Sequence, residues 1–195
     1  MLYYSDLIDK EDTKMSTKKE DPRAVRSKLL LKAAALSLLI ESQDLQKLTV
    51  QKVAAKAGLN RATFYLHFLD LRDLLRHIIY DFFDELNNKM SPLLELENSN
   101  LDESLLAFLD YFYVQRKSIA VLFEEKSFQK KFHNTIVEFI QVRRELKGEV
   151  KEEAVSEDII AASILGILVW WVRDGKQYSP EYIAQQLALR LTPRL

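Results

Sequence analysis

Between Leu48 and Phe68 the chain reads LTVQKVAAKAGLNRATFYLHF. Arg61, Thr63, Tyr65 and His67 put hydrogen-bonding side chains between short apolar steps. A guanidinium can give two parallel hydrogen bonds to guanine. A threonine can bond a base or a phosphate while its methyl touches thymine. A tyrosine hydroxyl and an imidazole further along suit phosphate oxygens, which fix register but carry little sequence information. This set points to recognition of a nucleic acid.

Bond-making chemistry finds little support. Four scattered Gly cannot build a phosphate-cradling loop or a dinucleotide fingerprint. There is no paired-His motif and no Ser in a nucleophile elbow. The chain has no Cys, so a disulfide, a thiolate metal site and a thiol nucleophile are all excluded. His67, His77 and His133 lack the close spacing of a zinc site. The expectation is therefore no catalytic residue, no metal and no cofactor.

A polar reading face needs elements that hold it rigidly. Thr49 can cap a helix whose inward residues are Val50, Val53, Ala54 and Ala57. Gly58 follows at once, the usual left-handed stop. Asn60 can cap the next helix, with Leu59, Phe64 and Phe68 inward and Arg61, Ala62 and Thr63 crowding its first turn. Two short helices joined through a Gly form a helix-turn-helix, whose second helix lies in the DNA major groove. Ahead of it, Asp21 and Pro22 open a helix with Leu31, Ala34, Ala35, Leu38 and Leu39 inward. Arg23, Arg26 and Lys28 sit in its first turns, where cations oppose the helix dipole; a phosphate would compensate them. Thr49 lies where a helix N-terminus can also face a phosphate.

The whole chain fits this reading. Of its 195 residues, 48% are hydrophobic and 29% charged, enough for a packed core. Four Gly and four Pro leave room for long helices. Asp70 can cap a fourth helix, LRDLLRHIIYDFFDELNNK, and five more follow at about 101–115, 116–126, 127–147, 156–174 and 179–191. The expected fold is all-α with about nine helices. Residues 1–21 read as an arm, with Met15 an alternative start. Residues 22–69 read as the helix-turn-helix unit and 70–195 as a helical effector and dimerisation region. Residues 22–76 hold ten Lys or Arg against four Asp or Glu, net +6, and residues 77–195 fourteen against nineteen, net −5. Only the first section should meet a polyanion. The N-terminus lacks the apolar run of a signal peptide. The longest apolar stretch, Ile159–Val172, is short of the ~20 residues a membrane span needs. A cytoplasmic protein without membrane contact is expected.

TVQKVAAKAGLNRATFYLHF at Thr49–Phe68, followed by LDLRDLLRHII, resembles the tetracycline-repressor (TetR) family of one-component bacterial regulators. The family pattern is T-V-x-x-(I/V)-A-x-x-A-G-(V/L)-(S/N)-x-(A/G/P)-T-(L/F)-Y-x-H-F, and the match spans roughly residues 23–80. Gln43 stands where the family usually has Gly, and Asn60 replaces the commoner Ser cap. Leu71 replaces a phosphate-touching Lys, which removes that contact or moves it to Arg72. The C-terminal layout, a Trp-bearing helix before SPEYIAQQLALRL, resembles that of dihydroxyacetone-kinase regulator relatives.

The resemblance implies a homodimeric repressor on a near-palindromic double-stranded DNA operator, controlled by an effector. Arg23, Arg26, Thr49, Asn60, Arg61, Ala62, Thr63, Tyr65, His67 and Arg72 are then the DNA-binding candidates. It also implies pairing of the last two helices across the dimer. Ala162 and Gly166 would let a partner helix approach, extended by Leu165, Val169 and Val172, and by Ile183, Leu187 and Leu191. Phe108, Tyr111, Phe112, Phe132, Ile136 and Trp170 are the effector-pocket candidates. Two rivals stand beside this reading. In one, a protein partner supplies the signal; in the other, the chain is an all-helical interaction module without DNA binding, to which the missing Lys at position 71 lends a little weight.

Overall fold

In the computed structural model the described residues are 21–42, 44–94, 101–148 and 155–191. The expected arm 1–21, apart from Asp21, and Gln43 lie outside them. The described residues form nine α-helices: α1 Pro22–Ser42, α2 Val50–Lys56, α3 Arg61–His67, α4 Leu71–Met90, α5 Leu101–Val114, α6 Arg116–Leu122, α7 Lys126–Lys147, α8 Glu157–Arg173 and α9 Pro180–Leu191. The all-α expectation holds, and no strand occurs among them.

The helix starts follow from short-range chemistry. Asp21 Oδ1 accepts from the Arg23 amide at 2.9 Å, and Thr49 Oγ1 accepts from the Lys52 amide at 3.2 Å. Asn60 Oδ1 accepts from the Thr63 amide at 2.7 Å, and Asp70 Oδ1 from the Asp73 amide at 2.8 Å. Each cap satisfies a donor that the first helical turn leaves open. Gly58 takes φ +68°, the left-handed conformation that ends α2.

One boundary moves. The helix expected over 116–126 ends at Leu122. There Gln129 Nε2 donates to the Phe123 carbonyl at 2.5 Å, and Glu125 caps α7 by accepting from Ser127. These contacts replace the helical bonds that would have carried α6 onward.

The core is one continuous cluster. In the first three helices Leu31, Ala35 and Leu39 of α1 meet Val53, Phe64 and Phe68. Helix α4 runs out of this unit and buries Leu74, Ile78, Phe82, Phe83, Leu86 and Met90. Behind it α7 packs on α8, α5 on α9, and α6 lies between α1 and α8. Among the described residues no helix is long and apolar enough to cross a membrane.

Candidate nucleic-acid interface

Helix α3 presents two unlike faces. Phe64 and Phe68 are fully buried against α1 and α4. Asn60, Arg61, Ala62 and Tyr65 are exposed, and Thr63 is half-buried. Among the described residues Arg61 makes no ion pair, and neither do Arg23 and Arg26 at the exposed start of α1. A free guanidinium fixed on a seven-residue helix can give its hydrogen bonds to a base or a phosphate.

Other candidates are partly used within the fold. Asn60 Oδ1 also accepts from Thr63 Oγ1 at 2.9 Å, so that hydroxyl keeps only its lone pairs for an outside donor. Thr49 is an exposed cap, and Tyr65 rests edge-on against Phe64 with its ring half exposed. Arg72 is exposed on the first turn of α4. The largest difference from expectation is His67. Its Nε2 lies 2.8 Å from Ser27 Oγ in α1, leaving Nδ1 as its other ring nitrogen. Ser27 Oγ also sits 2.8 Å from the Arg23 carbonyl, so this group ties α3 to the basic start of α1.

The mount behind this face is held at both ends. Asp73 Oδ2 accepts from the Leu69 amide at 2.9 Å while Asp70 caps the Asp73 amide, a reciprocal box at the α3–α4 corner. Lys32 of α1 pairs with Asp81 of α4 at 2.5 Å, and Lys56 of α2 with Glu41 of α1 at 2.8 Å.

Sequence reasoning passes over Leu66, which is 79% exposed. A search for hydrogen-bond donors ignores a leucine. The usable signal is its position two residues from both Phe64 and Phe68, which puts it opposite the buried line of the helix.

The C-terminal candidates separate. Phe108, Phe112, Phe132 and Ile136 are buried in the core, and Tyr111 is half-buried. Phe132 has the rings of Phe112, Phe123 and Phe128 within 6.0 Å, so side chains fill the space between these rings. Burial, helped by the Glu85 carboxylate, pushes the Tyr111 phenol well above its usual range. Trp170 lies elsewhere, on the outer face of α8. With Ala162, Ser163, Gly166 and Ile167 it lines an open depression of about 370 Å³. Its ring packs on Gly175, where a Cβ would come within 2.9 Å of it.

The expected seam divides as well. Ala162 and Gly166 are exposed, while Leu165 and Val169 are half-buried. Val172, Ile183 and Leu187 are buried within the single chain, which corrects their assignment to an outer seam: α9 spends its apolar face on α5. The side chain of Leu191 lies outside the described ones. The apolar stripe left open on α8 runs through Ile159, Ala162, Gly166 and Trp170.

Comparison with known proteins decides what this arrangement belongs to. Residues 30–78 match the family model described as "Bacterial regulatory proteins, tetR family", and residues 99–192 match "Transcriptional regulator C-terminal region". The chain belongs to the TetR family. It is a DNA-binding helix-turn-helix transcriptional regulator. Among relatives of this TetR-family chain, "Uncharacterized HTH-type transcriptional regulator YxbF" of Bacillus subtilis (strain 168) is 26% identical over 178 residues. That alignment covers 87% of this chain but 45% of YxbF, so the chain spans less than half of that relative's length. "Nucleoid occlusion factor SlmA" of Photobacterium profundum is 27% identical over 75% of this chain and 84% of its own. Two solved structures share the fold. A TetR transcriptional regulator from Streptococcus agalactiae 2603V superposes with TM-score 0.67 at 24% identity, over 88% of this chain and 96% of that one. "Dihydroxyacetone kinase operon activator DhaS" does so with TM-score 0.62 at 20% identity, over 86% and 94%.

Proposed function

We propose that this TetR-family regulator acts in the cytoplasm as a homodimeric repressor of a near-palindromic operator. Each copy presents the outer face of α3 to one major groove, and the open stripe on α8 pairs with that of a second copy. The observation that carries this reading is the unpaired, exposed Arg61 in the first turn of a helix anchored to the core by Phe64 and Phe68. Thr63 and Ala62 accompany Arg61 at the base edges. Arg23, Arg26, Tyr65 and Arg72 reach phosphates, where they set register.

Control from the C-terminal region requires a signal that binds two states with different affinity. The ring-to-ring packing around Phe132 supports a protein partner as that signal over a small effector seated among those rings.

The test is selection of bound duplexes from a random pool by the purified protein, at two salt concentrations. An inverted repeat that survives the higher salt is the expected result. Recovery of no motif, with binding lost to salt, would leave only charge attraction and sink the operator reading. Co-purification of a stoichiometric protein would support the partner form of control, and a retained small molecule would refute it.

A further inference from the structure

The outer line of α3 is not wholly polar. Phe64 and Phe68 are 0% and 1% exposed and mark its inner line. At 100° per residue Leu66 stands about 200° from each of them, and Ala62 shares its side one turn earlier. Leu66 is 79% exposed, more than any side chain of the core would tolerate, and no neighbour covers it. Arg61 opens the same helix, about 140° round it from Leu66, in a chain section carrying net +6. An exposed leucine on the helix that also carries a free guanidinium, in a basic section of the chain, fits a surface that is both apolar and anionic. The major groove offers that combination at thymine, whose C5 methyl stands among phosphates and base edges.

We propose that Leu66 is a specificity-determining residue that reads a thymine C5 methyl group by apolar contact. This rests on α3 lying in the major groove. Arg61 would set the guanine-type contact at the start of the helix. Leu66, further along the same helix, would demand thymine at a neighbouring position of the same half-site. Because a dimer repeats the contact, the thymine requirement appears once in each half.

The experiment uses the full chain and a duplex it has selected from a random pool. Each thymine is replaced in turn by deoxyuridine, which removes only the methyl group. Loss of one buried methyl should weaken binding about fourfold, and loss of the symmetric pair about fifteenfold. Wild-type protein should show this at one thymine per half-site. Leu66→Ala should bind the thymine duplex about as weakly as wild type binds the uracil duplex, and should no longer distinguish the two. Leu66→Met should recover part of the distinction. The wild-type arm alone keeps the test decisive if a variant misfolds. Absence of any thymine dependence in wild type would overturn the proposal. So would a dependence that persists unchanged in Leu66→Ala, because the methyl of Thr63 or Ala62 would then be the reader. If Leu66→Ala leaves DNA binding intact but releases a bound protein, the leucine is a protein contact and the proposal fails. If no duplex is selected at all, both this proposal and the operator reading fall.

Discussion

In the first three helices the buried side chains are mostly small or aliphatic: Leu31, Ala34, Ala35, Leu39, Val53 and Ala54, with Phe64 and Phe68 as the only large rings. Helices α4 to α7 bring Phe82, Phe83, Phe112, Phe123, Phe128 and Phe132 ring to ring. The two regions therefore hold their shape by different means. The two short helices α2 and α3, over a thin core, depend on caps at their ends, which leaves the outer face of α3 free for a ligand. The aromatic cluster fixes long helices by bulk, and its members have no free surface to offer.

Predictions that bear on this contrast run from large to small. Phe132→Ala should lower folding stability by about 3–5 kcal/mol, read by urea unfolding, because several rings lose their partner at once. A loss below ~1 kcal/mol would mean the cluster is loosely packed. Arg61→Ala should change stability by less than about 0.5 kcal/mol yet cost about 1–3 kcal/mol of specific DNA binding, measured by titration of a selected duplex. Intact binding would remove Arg61 from the groove. Gly166→Leu should leave the single chain folded, since a Cβ there meets nothing within 4 Å. It should nonetheless weaken dimerisation by about 1–3 kcal/mol in sedimentation, through overpacking of the α8 stripe. An unchanged dimer would place the interface elsewhere.

Asp70→Ala should cost about 1 kcal/mol through the lost α4 cap, with a small drop in thermal midpoint. The smallest effect is acid sensitivity of the α1–α2 pair. Lys56, with Ser37, holds the Glu41 carboxyl below its usual 4.5. A lowered folded pKa stabilises above the unfolded value, and that contribution disappears as pH falls below 4.5 through the folded value. Glu41→Gln should lower the urea midpoint slightly at neutral pH, with the difference vanishing as pH falls below 4.5; an equal change at neutral and acid pH would show that titration is not the cause.

Much of the head was legible in the sequence. Caps at Asp21, Thr49, Asn60 and Asp70 act within three residues, and the stop at Gly58 needs only its own backbone. The polar face of α3 follows from where Phe64 and Phe68 fall on a helix. The C-terminal region was legible as helices but not as surfaces. Helix α8 reads EDIIAASILGILVWWVR, apolar almost all round, so periodicity cannot choose which side faces the core.

The sequence by itself determined the all-α architecture, the helix starts, the helix-turn-helix and its family, because each rests on residues close in the chain. Only the tertiary structure decided the rest. It turned the His67 ring nitrogen to Ser27, forty residues away. It put Trp171 inside and Trp170 outside, although they are neighbours in one helix. It buried Ile183 and Leu187 under α5 and left Ala162 and Gly166 open. Such choices are made by which distant helix arrives at a face and how its side chains fill the space, and no local propensity records that.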